Sequence, residues 1–119
     1  MIIGKILIAL IAMLHIYFLV LEMFLWDKPM GMKAFAHNPE KAALTKVLAQ
    51  NQGLYNGFLA AGLIWALIAS APFSIQLANF FLACVLIAGI YGAITASKKI
   101  LYIQALPALV ALIMVNFIG

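Results

Sequence analysis

Apolar residues run along this chain in four long blocks, roughly Ile2 to Trp26, Leu48 to Ala71, Phe73 to Ala96 and Ile100 to Ile118, with polar residues gathered between them. Each block comes near the ~20 residues that span about 30 Å of hydrocarbon at a rise of ~1.5 Å per residue. None alternates apolar and polar positions as a barrel strand does, and a helix pairs its backbone N–H and C=O groups internally, as lipid requires. The pattern predicts an all-α membrane protein: an antiparallel bundle of four transmembrane helices, about 2–26, 39–71, 73–97 and 100–118, in a single domain covering 1–119.

The breaks between blocks carry their own signals. Trp26 suits the headgroup level, and Asp27-Lys28-Pro29 then adds charge and a breaker. Met30, Met32 and Phe35 interleave with polar residues up to His37, which predicts an interfacial segment between helices 1 and 2, lying on the membrane surface. His37 itself reads as a solvated loop residue. Asn38-Pro39-Glu40 reads as a helix start, with Asn at the N-cap, Pro at the first helical position and an acid in the first turn. A helix running unbroken from Pro39 to about Ser70 would be about 48 Å long, so its first turns protrude or tilt unless it breaks near Gly53. Pro107 removes one donor from the last helix and frees the carbonyl of Ile103.

Composition sharpens the class. With 68% hydrophobic and 8% charged residues, the chain fits a membrane protein far better than a soluble or disordered one of 119 residues. Its net charge of +4 comes from lysines without any arginine, and it is no nucleic-acid footprint. Lys28, Lys33, Lys41, Lys46, Lys98 and Lys99 fall in the two segments joining helix 1 to 2 and helix 3 to 4. The positive-inside rule makes those loops, 27–47 and 97–100, cytoplasmic and sends both termini and the Ser70–Ser74 turn outward, in the cell membrane. Lys5 alone argues the other way. The first block is too long for a signal peptide and lacks a cleavage site, so it reads as a retained helix. Cys84, alone in mid-membrane, reads as packing.

Against this apolar background a few polar side chains stand out: His15, Glu22, Asn51, Gln52, Tyr55, Asn56, Tyr91 and Gln104. Antiparallel threading would bring all but His15 to a similar depth, on the cytoplasmic side of the bilayer centre. His15 and Glu22 share one face of helix 1 about 10 Å apart along its axis, and Asn51, Gln52, Tyr55 and Asn56 fall within an arc of about 140° on helix 2. Ionisable groups are costly to keep in lipid without a use. Glu22 and His15 are therefore candidates for catalysis, Glu22 as a proton donor or counter-ion and His15 as a base or hydrogen-bond donor. Asn51, Gln52, Tyr55, Asn56, Tyr91 and Gln104 are candidates for ligand binding: the amides could orient a polar headgroup but supply no nucleophile, and Tyr55 or Tyr91 could hold a carbonyl or hydroxyl. Neither a metal site at recognised ligand spacing nor a cofactor motif is present. The small-residue stripes Gly53, Gly57, Ala61 and Ala88, Gly92, Ala96 would let helices approach closely, between copies of the chain as well as within one.

The run His15-x-Tyr17-x4-Glu22-Met23-Phe24-Leu25-Trp26, the stretch Asn51-Gln52-Gly53-Leu54-Tyr55-Asn56-Gly57, the stretch Ala88-Gly89-Ile90-Tyr91-Gly92 and the set Gln104-x2-Pro107-Ala108 resemble a family of small bacterial four-helix membrane proteins catalogued as a domain of unknown function. The resemblance covers nearly the whole chain and implies the four-helix fold without an activity. Vitamin K epoxide reductases need a CxxC, and the glutathione-using membrane transferases rely on Arg residues; this chain has neither. The residues point to an intramembrane polar pocket, open toward the cytoplasmic leaflet, that binds or transforms a small lipophilic or amphipathic molecule amid membrane lipid. The alternatives are a subunit of an oligomeric small-molecule or ion transporter and an assembly partner of a larger membrane protein.

Overall fold

A computed structural model describes residues 2–118. Its described residues form helices connected by short turns: α1 (Ile2–Met23), α2 (Pro29–Ala34), α3 (Pro39–Ile68), α4 (Phe73–Thr95) and α5 (Leu106–Ile113), the last flanked by wider helical turns at Leu101–Ala105 and Met114–Ile118. Among the described residues, three helical runs are long and apolar enough to cross a membrane: Ile2–Met23, Phe73–Thr95 and Leu101–Ile118. Although α3 is longer, at 30 residues, its Asn51, Gln52, Tyr55 and Asn56 dilute the apolar stretch, and it is not among the three. The helix is continuous through Gly53, and no break occurs there.

The chain divides into two compact units. One comprises residues 1–12 and 59–119, the other residues 13–58, so α1 and α3 each contribute a part to both.

In the first unit the core is built from Ile8, Leu63, Leu82, Val85, Ala108 and Ala111, all nearly or fully buried. Large side chains on α1, α3 and α4 meet small ones on α5, which lets helices come close where lipid offers no hydrophobic drive of its own. Gly62 of α3 supplies the seat for the ring of Phe81. Gly89 of α4 lies against the backbone of Ala105, where an added Cβ would fall 2.6 Å from the amide nitrogen. The widened turn before α5 has a local cause. Pro107 lacks an N–H and crowds the carbonyl four residues back, and just ahead of it the Leu106 N–H reaches five residues back to Leu101.

In the second unit the buried positions of α3 recur at Ala42, Ala49, Gly53 and Asn56, the spacing of a single helix face. That face receives the end of α1. A Cβ at Gly53 would lie 3.1 Å from the Glu22 Cβ and 3.2 Å from the Leu19 carbonyl oxygen, and one at Gly57 would lie 2.7 Å from a Leu19 methyl. Between the two helices α2 starts at Pro29 and folds Gly31 onto the Leu25 carbonyl, an approach that leaves no room for a side chain. The turn after it places Ala36 in the left-handed region, at φ 53°. α3 then begins as its sequence predicts: the Asn38 side chain accepts a hydrogen bond from the Lys41 N–H at 2.8 Å, with Pro39 at the first helical position and Glu40 in the first turn.

Candidate functional site

The second unit buries three of the candidate residues. His15 has no exposed surface, and Glu22 and Asn56 are 7% and 8% exposed. Asn56 Nδ2 donates a hydrogen bond to Glu22 Oε1 at 2.5 Å, joining α3 to α1. The contact follows from the helix faces: Asn56 is one turn on from Gly53, whose missing side chain lets the backbones approach near Glu22. His15 lies two turns earlier on α1, its ring edge-on to Phe18 at 5.5 Å between centroids. No buried polar side-chain atom among the described residues lacks a hydrogen-bond partner. Chemically, this is a carboxyl group held by an amide in a setting that is otherwise aliphatic. It can exchange hydrogen bonds or a proton with a polar group brought to it.

The other amides of α3 take a different course. Asn51, Gln52 and Tyr55 are exposed, and Asn51 turns its side chain back along its own helix to the Val47 carbonyl at 2.8 Å. The expected wall of four polar residues facing Glu22 is therefore reduced to Asn56. An arc of 140° is wider than the contact face of a helix, and Gly53 and Asn56 occupy that face. The stripe of Gly53 and Gly57 is filled by side chains of α1 from the same chain.

At the end of this unit lies a cluster that sequence reasoning passed over. The Trp26 indole N–H donates to Thr45 Oγ1 at 3.0 Å, and the Thr45 hydroxyl donates to the Lys41 carbonyl at 2.7 Å. His37, read from sequence as solvated, is half-buried and packs on the Trp26 ring at 4.3 Å. Its Nε2 lies 3.0 Å from the Trp26 carbonyl oxygen; a carbonyl only accepts, so Nε2 carries the proton. Lys46 and Asp27 form an ion pair at 2.9 Å, and the hydrogen bond from Lys46 holds the Asp27 carboxyl below its usual range. The available signal was Trp26 itself, whose indole N–H needs an acceptor at the border of the apolar block; Thr45, 19 residues on, meets that need.

In the first unit, Tyr91 is exposed and Gln104 is half-buried. Gly92 packs against the Ile100 side chain, while Ala61, Ala88 and Ala96 are exposed. Cys84 is half-buried rather than enclosed. Asn79 and Asn116 exchange two amide hydrogen bonds of 3.0 and 2.6 Å, tying α4 to the last helical turns.

Comparison with known proteins adds a lineage. The family model described as "Protein of unknown function (DUF1304)" matches residues 9–116. The chain is also similar to the "Uncharacterized protein YpaA" of Lactococcus lactis subsp. lactis (strain IL1403), 32% identical over 106 residues that cover 87% of this chain and 88% of that one. No solved structure matches.

Proposed function

The chain belongs to this family of proteins of unknown function, which leaves its chemistry to be read from its own residues, and we propose that it is a four-span membrane protein binding a small amphipathic molecule beside Glu22. α3 supplies the remaining span, tilted or protruding at its Lys41–Lys46 end, and the chain runs alternately in and out, with both lysine-bearing loops in the cytoplasm. The observation that carries the reading is the buried Glu22–Asn56 hydrogen bond. A carboxyl and an amide are held together within helices that are otherwise apolar, and ionisable groups in that setting mark binding or transfer sites by default. Both residues keep a narrow strip of surface. A molecule with an apolar tail and a head that donates hydrogen bonds meets both requirements of this surface.

The test is mass spectrometry of small molecules retained through purification in mild detergent, comparing the wild type with Glu22→Gln. Glutamine preserves the shape of the side chain and a hydrogen bond to Asn56 but removes the carboxylate. The variant should fold and retain about tenfold less of any such molecule, the loss of one charge-assisted hydrogen bond. Equal retention by folded wild type and variant would remove the carboxylate from the site.

A further inference from the structure

The first unit contains an open cavity of about 360 Å³ where α1 passes the turn between α3 and α4. Its volume falls in the lower part of the about 300–1,000 Å³ range typical of small-molecule sites. The lining has two characters. Lys5, Ser70 and Ser74 provide an ammonium group and two hydroxyls, while Ile8, Ile75 and Ala78 provide an apolar floor. Ile8 and Ala78 are almost fully buried, so the floor is part of the core.

We propose that this cavity is a binding site for the anionic head of an amphipathic molecule, with Lys5 as the charge partner, Ser70 and Ser74 as hydrogen-bond donors, and the tail lying along Ile8 and Ile75. The charge distribution is the main argument. Every Asp and Glu side chain of the protein, Glu22, Asp27 and Glu40, lies within residues 13–58. The unit that carries Lys5 has no carboxylate side chain, and among the described residues Lys5 forms no ion pair. An exposed lysine lining the same cleft as two serines, with no acid in its unit, is complementary to an anion from outside the chain. The cavity also explains why a lysine stands near the start of α1, against the charge asymmetry of the loops. A lysine stem can cover apolar surface while its head reaches a polar group at the membrane border. The inference does not depend on the Glu22 site, which involves other residues and a head of the opposite hydrogen-bonding character.

A phosphate or carboxylate on a lipid and the same group free in solution share this chemistry, and the experiment separates them. The full chain, wild type, Lys5→Gln, Lys5→Arg and a Ser70→Ala/Ser74→Ala double variant, is placed in nanodiscs containing equal phosphatidylglycerol and phosphatidylcholine, and the lipids still bound after gentle release are counted by native mass spectrometry. The wild type should retain phosphatidylglycerol in preference. Lys5→Gln should reduce that preference by about tenfold, the equivalent of one charge-assisted hydrogen bond, and Lys5→Arg should keep it. The double serine variant should lower it by a smaller factor, and it serves as the independent check if a Lys5 variant folds poorly. A parallel titration with inorganic phosphate in detergent covers the other source: saturable binding that Lys5→Gln abolishes, without any lipid preference, supports an anion site supplied from solution. Equal phosphatidylglycerol preference in wild type, Lys5→Gln and the serine variant, together with no phosphate binding that depends on Lys5, would overturn the proposal.

Discussion

Asn56 meets Glu22 across 34 positions of sequence, and the chemistry of each partner sets what its removal costs. Asn56→Leu leaves a buried carboxyl without its amide donor, a change that ordinarily costs about 1–3 kcal/mol. Glu22→Gln keeps an amide in reach of an amide, so its cost should fall near the ~0.6 kcal/mol typical of interhelical hydrogen bonds in membranes. Replacing both by apolar residues, Glu22→Met with Asn56→Leu, should destabilise less than the sum of Glu22→Met and Asn56→Leu made singly, because no polar group is then stranded. Thermal unfolding in mild detergent, followed by circular dichroism, gives each value. A double variant as destabilised as the sum would mean that the two side chains are not coupled. Both residues were legible in the sequence as polar intruders. Their pairing was legible only in outline, because the candidate arc on helix 2 contained four such residues and helix geometry admits only the one beside Gly53 to the contact.

At the level of elements, two glycines of α4 one turn apart make opposite predictions. Alanine is the better helix former at both positions by about 1 kcal/mol. At Gly89 the added Cβ would meet the Ala105 backbone at 2.6 and 2.8 Å, and backbone does not yield readily. At Gly92 it would meet Ile100 side-chain atoms at 3.2 and 3.3 Å, which can shift slightly. Gly89→Ala should therefore destabilise by about 1–3 kcal/mol, the usual cost of overpacking, while Gly92→Ala should be near neutral or mildly stabilising. Unfolding midpoints of the two variants under one detergent condition decide the matter, and a Gly89→Ala protein as stable as the wild type would contradict the packing. The sequence pointed to Ala88, Gly92 and Ala96 as the close-packing stripe, but Gly89 is the residue pressed against backbone. The buried face of α4 runs through Leu82, Val85 and Gly89, so the neighbouring stripe falls to one side of the contact and Ala88 and Ala96 are exposed. Likewise the start of α3 could be read from Asn38-Pro39-Glu40, because capping is local, whereas the Trp26–His37–Thr45 cluster joins positions that only the completed turn brings together.

For the molecule as a whole, hydropathy separates what is established from what is proposed. Three helical runs are apolar enough to cross a membrane by length and composition, and the fourth crossing rests on α3, whose polar residues at 51–56 lower its apolar content. Single cysteines at exposed Lys41 and exposed Ser70, one at each end of α3, in a chain with Cys84 replaced by alanine, distinguish three crossings from four. With α3 in the membrane, a membrane-impermeant thiol reagent applied to intact cells should label the Ser70→Cys protein and should label Lys41→Cys only after permeabilisation. Labelling of both from outside would put the two ends of α3 on one side and leave three crossings. The class of the protein was readable because a transmembrane helix needs only length and apolarity; the division into two units was not, because it depends on contacts formed between distant segments. One such contact bears on how this protein can change over generations. Asn79 and Asn116 each give and take an amide hydrogen bond, and the Asn116 amide also donates to the Leu112 carbonyl at 2.8 Å. Loss of Asn79 therefore leaves Asn116 a donor bond on its own helix, so its lineage can drift at position 79 more freely than at position 116.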